Sequence, residues 1–277
     1  MVHRRTLPLL TLTALLLIPA LAAAADWKVH LISAAEQPDL ARDRLARAYA
    51  GHPGGSVSEA VNVALDDVGV ELDAAGTALK LSQDAAADLN AARAAAQRAE
   101  KAGAVAVLTD VPTAWLLAIA DAVKLPVLNL SDTSDRLRQQ DCRANLLHLP
   151  PSERMRADAL AQALVQRKWG SVLLLTGPSA RDAERSAVAQ AALRRYGVKL
   201  VANKPYKLST DPRERDLANP LLLTGGGLSY DAVWVVDSDG EFARSLPYRT
   251  ALPRPVVGDG GLMALAWQAQ FERFGAP

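Results

Sequence analysis

Short apolar runs that alternate with helical segments constrain the fold of this chain most strongly. Residues 104–108 are wholly apolar, as a strand buried on both faces of a sheet would be. A helical pattern follows over residues 113–123, with a proline at its start. Similar apolar runs recur at residues 125–130, 171–175 and 232–236. This alternation predicts an α/β fold with parallel sheets that are covered by helices.

The alternating pattern occurs twice along the chain. The first unit begins with a strand predicted over residues 28–32, and the second begins with a helix predicted over residues 152–166. The stretch between the units, residues 132–151, is charged and irregular. We therefore predict two Rossmann-like lobes, an N-terminal lobe over residues 26–146 and a C-terminal lobe over residues 147–258.

The N-terminus is typical of an export signal. A positively charged start precedes an uncharged stretch at residues 7–22, and a run of alanines at residues 22–25 forms a cleavage site. The uncharged stretch is shorter than the ~20 residues that a bilayer span needs, and prolines interrupt it. We predict a cleaved signal peptide over residues 1–25 and a periplasmic location, with a retained membrane anchor as the alternative.

The charge balance limits the possible partners. The 31 Lys and Arg residues nearly equal the 30 Asp and Glu residues, whereas nucleic-acid binding needs a basic face. No segment after the N-terminal stretch is long and apolar enough to cross a membrane. We expect a monomer that binds no nucleic acid and is not embedded in a membrane.

The sequence contains no motif for catalysis or metal binding. It has no G-x-S-x-G elbow, P-loop, S-x-x-K, H-E-x-x-H or C-x-x-C motif. The glycines at residues 51–55 and 225–227 are interpreted as turns. Cys142 is the only cysteine, and we interpret it as a small buried residue rather than as a nucleophile or redox thiol. The sequence thus favours a binding protein that catalyses no reaction and requires no cofactor or metal.

Polar residues follow most of the predicted strands. Ligands of parallel sheets bind at the carboxyl ends of the strands, so small polar groups there are candidates for contacts with a ligand held between the two lobes. The alternative is that they only cap helices or begin loops. The candidates chosen by this rule are Thr109, Asp110, Ser131, Asp132, Thr133, Thr176, Asp237 and Asp259.

Several motifs in the second half of the chain support a family resemblance. An exported chain of two α/β lobes resembles the type I periplasmic solute-binding proteins of ABC importers, branched-chain amino acid group. More narrowly, residues 131–277 resemble the substrate-binding-like proteins encoded with pyrroloquinoline quinone-dependent alcohol dehydrogenases. Because such proteins continue well past this C-terminus, the resemblance implies an incomplete C-terminal part of the fold, with residues 259–277 forming a crossover and a helix that returns to the first lobe. The motifs are Asp141-Cys142-Arg143-Ala144-Asn145, Pro151-Ser152, Tyr230-Asp231, Leu246-Pro247-Tyr248-Arg249-Thr250 and Pro253-Arg254-Pro255-Val256.

The resemblance implies that the ligand is pyrroloquinoline quinone itself or a substrate or product of alcohol oxidation, and we expect a small anionic ligand, which the quinone would be. This quinone is planar and carries three carboxylates, which arginine forks bind in pairs of hydrogen bonds. We expect Arg143, Arg181 and Arg249 to supply these guanidinium forks and Trp115 to stack on the ligand. The alternative for Arg143 and Arg249 is a structural salt bridge, and the alternative for Trp115 is a position in the core. Asp237 would pair with the ammonium group of an amino acid ligand, and either a ligand or an arginine should balance its charge.

Three functions remain open at this point. The first is the binding component of an uptake system, in which the lobes close on the ligand and then engage an ABC permease. The second is a sensor or accessory protein that docks on a quinoprotein dehydrogenase without transport. The third is a Rossmann-like enzyme, which requires a nucleotide fingerprint that the sequence lacks.

Overall fold

Two parallel β-sheets, one in each half of the chain, organise the structure. The computed structural model describes residues 26–36, 56–238, 240, 242–243 and 246–258, without the side chain of residue 248. The predicted signal peptide, Asp259 and the predicted C-terminal helix lie outside these residues. All strand pairs in the described part of the chain are parallel, and helices pack against both sheets, which confirms the predicted α/β fold class.

The first sheet has five strands within the described residues, in the order β2-β1-β3-β4-β5. Strand β5 was not predicted, because only one of its three residues is buried and its sequence lies in the irregular stretch. It extends the first sheet past the predicted lobe boundary at residue 146. The elements are β1 (Asp26–Ala34), α1 (Val57–Ala74), β2 (Ala78–Ala86), α2 (Leu89–Lys101), β3 (Ala106–Asp110), α3 (Thr113–Ala122), β4 (Val127–Asn129) and β5 (Leu146–His148).

The second sheet has four strands within the described residues, in the order β7-β6-β8-β9. Short 3-10 turns at Asp135–Arg138, Pro212–Glu214 and Leu246–Tyr248 join the longer elements. The elements are α4 (Glu153–Gln166), β6 (Ser171–Thr176), α5 (Ala180–Arg195), β7 (Lys199–Pro205), α6 (Arg215–Ala218), α7 (Pro220–Thr224), β8 (Ala232–Val236) and β9 (Val256–Gly258). Helix α7 was not predicted.

Strand β8 shows how the apolar runs produce the sheets. All five of its residues are buried. Val233 and Val235 pack into one core cluster, whereas Trp234 packs into the cluster on the other face. Burial of a large apolar side chain contributes roughly 1.5–3 kcal/mol, so a strand that is apolar on both faces is stable only between two layers of helices.

Alanine spacing determines how α2 packs on the first sheet. Ala92, Ala95, Ala96 and Ala99 are buried at helical spacing, so one narrow face of the helix lies close to the sheet. The helix begins at the cap Asp88, whose carboxylate accepts a hydrogen bond from the Ala91 amide over 2.8 Å.

Three properties of the described residues bear on function. No helix among them is both long enough and apolar enough to cross a bilayer. They also contain no group of three or more His, Cys, Asp or Glu residues that is placed to hold a metal ion. Cys142 is exposed, so its interpretation as a buried residue was wrong. It lies in a turn in which its amide donates to the Gln139 carbonyl, and this turn follows a 3-10 helix at the surface.

Candidate functional site

The side chain of Asn129 organises the turn that follows β4. Asn129 is buried, and its Oδ1 accepts hydrogen bonds from the amides of Ser131 (3.2 Å) and Asp132 (2.9 Å). Its Nδ2 donates to the Asp132 carbonyl (2.6 Å) and lies 3.1 Å from Nδ1 of His148, at the end of the neighbouring strand β5. The side-chain amide of Asn129 therefore fixes the backbone at the carboxyl end of β4 through four polar contacts.

Asp132 connects this turn to the start of α3. Its Oδ2 accepts from the Thr113 hydroxyl (2.5 Å), and its Oδ1 accepts from the Ser134 amide (2.8 Å). Ser131 is exposed, and its hydroxyl has no hydrogen-bond partner among the described residues. Of the two predicted site residues, Asp132 thus supports the turn, and Ser131 presents a free hydroxyl to solvent.

Thr133 joins the first lobe to the second. It is buried, and its carbonyl accepts a hydrogen bond from the amide of Glu153 (3.0 Å), the first residue of α4. Its hydroxyl donates to Oε1 of Glu153 (2.6 Å). Thr133 follows a strand of the first sheet, and α4 starts at the carboxyl edge of the second. The carboxyl edges of the two sheets are therefore adjacent at this contact.

Glu153 also forms a buried ion pair with Arg185 of α5. Nε and Nη2 of Arg185 lie 3.1 Å and 2.9 Å from the same Oε1, and the side chains of Glu153 and Arg185 are only 13% and 6% exposed. Burial alone would raise the pKa of Glu153. The hydrogen bond from Thr133 and the charge of Arg185 outweigh burial, so the pKa lies below its ordinary value. Glu153 is therefore held as a carboxylate.

Asp182 continues the network to the carboxyl end of β8. Its Oδ2 accepts from the amide (3.1 Å) and hydroxyl (2.6 Å) of Ser179, and its Oδ1 accepts from the amide (2.9 Å) and hydroxyl (2.6 Å) of Ser238. Arg185 Nη1 lies 3.3 Å from the Ser238 hydroxyl. Burial would raise the pKa of Asp182, but these bonds lower it. We call these residues the lobe-junction network: Thr133, Glu153, Ser179, Asp182, Arg185 and Ser238.

Gly177 lets the backbone after β6 pass close to this network. A Cβ at Gly177 would lie 2.4 Å from Oδ2 of Asp182 and 2.8 Å from the hydroxyl of Tyr206. The ring of Tyr206 is buried and stacks on Phe242, with ring centroids 3.9 Å apart. A side chain at this position would fit only if the Asp182 carboxylate and the Tyr206 hydroxyl moved.

Three predicted site residues have side chains that bond within their own lobe. The hydroxyl of Thr109 donates to the Leu128 carbonyl (2.9 Å), and the hydroxyl of Thr176 donates to Oδ1 of Asn203 (2.8 Å). Asp237 is buried, and its Oδ2 accepts from the amide of Ala243 (2.9 Å). We expected a ligand or an arginine to balance the charge of Asp237. The structure places a backbone amide against its carboxylate.

The structure separates Arg143 from the other predicted site residues. Its Nε donates to Oδ1 of Asp121 (2.6 Å), and its Nη1 lies near the carbonyls of Asp141 and Cys142. The hydrogen bond from Arg143 lowers the pKa of Asp121. Because Asp121 ends α3, this pair lies near the amino edge of the first sheet, opposite the edge that carries Thr109. Arg143 thus forms a salt bridge and contacts loop carbonyls, as in the structural alternative, and its contact with a ligand stays a prediction.

The remaining predicted residues lie in several places. Trp115 is half-buried and packs against the core of the first lobe. Asp110 is half-buried at the end of β3, and Arg181 is exposed on the first turn of α5. Arg249 is exposed and lines a separate groove of the second lobe.

Most residues that hold the lobe junction together were not predicted from the sequence. Asn129, Glu153, Arg185 and Ser238 carry no local signal, because each is an ordinary polar residue at a strand end or on a helix. For Asp182 the sequence did contain a local signal, because Ser179-x-x-Asp182 has the spacing of a capping box. The structure contains this capping box.

Comparison with known proteins indicates one family. A family model described as periplasmic binding protein matches residues 48–222, which is more than half of the chain. No curated protein sequence matches this chain.

Solved structures share the fold at low sequence identity. An ABC transporter substrate-binding protein from Desulfitobacterium hafniense in complex with Leu is 15% identical, with a TM-score of 0.58, over 87% of this chain and 68% of that one. A branched chain amino acid ABC transporter periplasmic ligand-binding protein from Burkholderia xenovorans is 15% identical, with a TM-score of 0.62, over 87% and 63% of the two chains. A leucine-, isoleucine-, valine-, threonine- and alanine-binding protein from Brucella ovis is 14% identical, with a TM-score of 0.58, over 85% and 60%. The chain thus spans between 60% and 68% of the length of these three structures.

Proposed function

The chain belongs to the periplasmic binding protein family, and from this premise we propose that it is the substrate-binding component of an ABC-type uptake system in the periplasm. A small molecule binds between the two lobes, and the lobes close on it by a hinge motion. The protein catalyses no reaction and hands its ligand to an ABC permease.

The lobe-junction network is the observation that carries this proposal. Thr133 and Glu153 bring the carboxyl edges of the two sheets together. Ligands of parallel sheets bind outside these edges. The ion pair of Glu153 with Arg185 connects the contact at Thr133 to Ser238, at the end of β8, so the network links the first lobe to the strand ends of the second at the place where a hinge would act.

The ligand is proposed to be small, and either an anion or, if it is an amino acid, a zwitterion that carries a carboxylate. The motifs over residues 131–277 support pyrroloquinoline quinone or a product of alcohol oxidation. The names of the similar solved structures support an aliphatic amino acid, because one of them was determined in complex with Leu. Pyrroloquinoline quinone and an amino acid both carry a carboxylate, for which the exposed Ser131 hydroxyl and the exposed Arg181 guanidinium are candidate donors.

A second candidate function follows from the same motifs. Their resemblance to proteins encoded with quinone-dependent dehydrogenases favours an accessory or sensor protein that docks on such an enzyme. This function requires no ligand between the lobes and no permease, so ligand binding distinguishes it from the first.

Thermal unfolding of the purified protein in the presence of candidate ligands tests the proposal. The panel contains leucine, isoleucine, valine, pyrroloquinoline quinone and short alcohols and carboxylic acids. A ligand at a hundred times its Kd should raise the free energy of unfolding by about 2.7 kcal/mol. Binding should survive Arg143→Ala, which changes a residue away from the junction, and should weaken in Glu153→Gln.

Two results would contradict uptake as the function. If no compound in the panel raises the unfolding temperature while the protein binds a quinoprotein dehydrogenase, the accessory role replaces it. If a bound compound is chemically converted, the protein is an enzyme.

A further inference from the structure

The second lobe contains a groove that shares no residue with the lobe-junction network. Its volume is about 470 Å³, and its walls come from the loop after β7, from α6 and α7, and from Arg249. Sites for small molecules usually have volumes of about 300–1,000 Å³. The groove is therefore large enough for a short organic ligand.

Two arginines that line the groove have no counter-charge among the residues that the structure describes. Arg215 and Arg249 both line it, and both are exposed. Neither guanidinium has a hydrogen-bond or ion-pair partner in the described part of the chain. The lining carboxylate of Asp211, in contrast, is already paired, because Nη2 of Arg213 lies 2.6 Å from its Oδ2. The two guanidiniums can therefore attract an anion, and no unpaired acid among the described lining residues competes with it.

Hydrogen bonds inside the lobe hold the walls in place. The buried Thr224 hydroxyl donates to the Pro220 carbonyl (2.7 Å) and accepts from the Ala251 amide (2.8 Å). This bond ties the segment that carries Arg249 to α7. On the other wall, the Lys207 amide donates to the Leu217 carbonyl (2.9 Å), which ties the loop after β7 to α6. Preformed walls reduce the ordering cost of binding.

Apolar side chains complete the lining. Pro212, Ala218, Pro220 and Leu221 contribute to the walls, and Leu221 is 52% exposed. These side chains can contact a short aliphatic chain, and each of the two guanidinium forks can bind one carboxylate. From this arrangement we propose that the groove is a second ligand site, separate from the lobe interface, that binds a short aliphatic dicarboxylate.

Titration with glutarate at low ionic strength, followed by calorimetry or by amide NMR shifts, tests this proposal. We expect saturable binding. Arg215→Ala and Arg249→Ala should each weaken it by about tenfold or more, and the double variant should abolish it. Arg167→Ala, which removes an exposed arginine outside the groove, is the matched control and should change the affinity little. Glutaramide, the uncharged analogue, should not bind.

The outcomes separate this site from the proposed uptake function. Glutarate binding that is lost in the Arg215 and Arg249 variants supports the groove whether or not any compound stabilises the lobe interface. Binding that is non-saturable, or equally tight in these variants, overturns the groove proposal and leaves the uptake proposal intact. Glutarate shifts in amides around Ser131 and Ser238 rather than around Leu221 would also overturn it, because they would place the ligand between the lobes.

Discussion

Glu153 and Arg185 form a buried ion pair whose carboxylate is also bound from the other lobe. Arg185 Nη2 lies 2.9 Å from Oε1 of Glu153, and the hydroxyl of Thr133 lies 2.6 Å from the same oxygen. Taking two charges out of water is costly, and their attraction offsets that cost only when their geometry and other hydrogen bonds are good. Thr133 supplies one of these additional hydrogen bonds, so a residue of the first lobe helps to offset the cost of burying an ion pair between α4 and α5.

The substitution Glu153→Gln should destabilise the protein strongly. It leaves the Arg185 guanidinium buried without a counter-charge, and breaking a buried pair in this way costs about 3–5 kcal/mol. Urea unfolding followed by circular dichroism measures the change. The control is Arg143→Ala, which breaks a more exposed pair with Asp121 and should lower the unfolding free energy much less. Equal losses in the two variants would contradict a special role for the buried pair.

Acid should destabilise the protein through Glu153 and Asp182. The pKa values of both are lowered in the folded state. The stability that they contribute is therefore fully present above their unfolded pKa values, about 4.3 and 3.9, and is lost as the pH falls through the lowered folded values. Urea midpoints measured between about pH 6 and pH 2 should fall steeply at the acid end. In Glu153→Gln part of this fall should disappear, and an unchanged profile would argue against the assignment.

His148 should produce a separate loss of stability closer to neutral pH. Burial, and then the charge of Arg138, lower the pKa of its imidazole. Below the unfolded pKa of about 6.5 the unfolded chain takes up a proton more readily than the folded chain. Stability therefore falls as the pH drops from this value towards the folded pKa. The measurement is the urea midpoint between about pH 8 and pH 5. His148→Gln should remove this step, and its persistence would assign it to another group.

Gly177→Ala should destabilise the second lobe. The added methyl group would lie 2.4 Å from Oδ2 of Asp182, so the Asp182 carboxylate and the stacked Tyr206 must move. Overpacking of this kind costs about 1–3 kcal/mol. Gly170→Ala is the matched control, because a Cβ there has no neighbour within 4 Å. Differential scanning calorimetry of the two variants should give a lower Tm for Gly177→Ala alone.

Most strands of the two sheets were predictable from the sequence, and two short elements were not. The run at residues 232–236 coincides with β8, because a strand between two helical layers must be apolar at every position. Strand β5 and helix α7 escaped prediction. Their three and five residues are too few to show a period.

The candidate site was predictable only in part. The strand-end rule selected Asp132 and Thr133, which lie at the lobe junction, and Asp237, which precedes Ser238 of the network. It also selected Thr109 and Thr176, whose hydroxyls bond within their own lobes. A strand end indicates which edge of a sheet a residue occupies, whereas the direction of its side chain depends on its neighbours in space.

The sequence by itself determined the α/β class and the two sheets, because burial on both faces of a strand leaves a local apolar pattern. The tertiary structure alone decided that Glu153 pairs with Arg185, 32 residues away, and with Thr133, 20 residues away. It also decided that Arg143 lies at the opposite edge of the first sheet, beside Asp121. The physical reason is that hydrogen bonds and ion pairs form between groups that folding brings within about 3 Å of each other, and no local pattern along the chain encodes those distances.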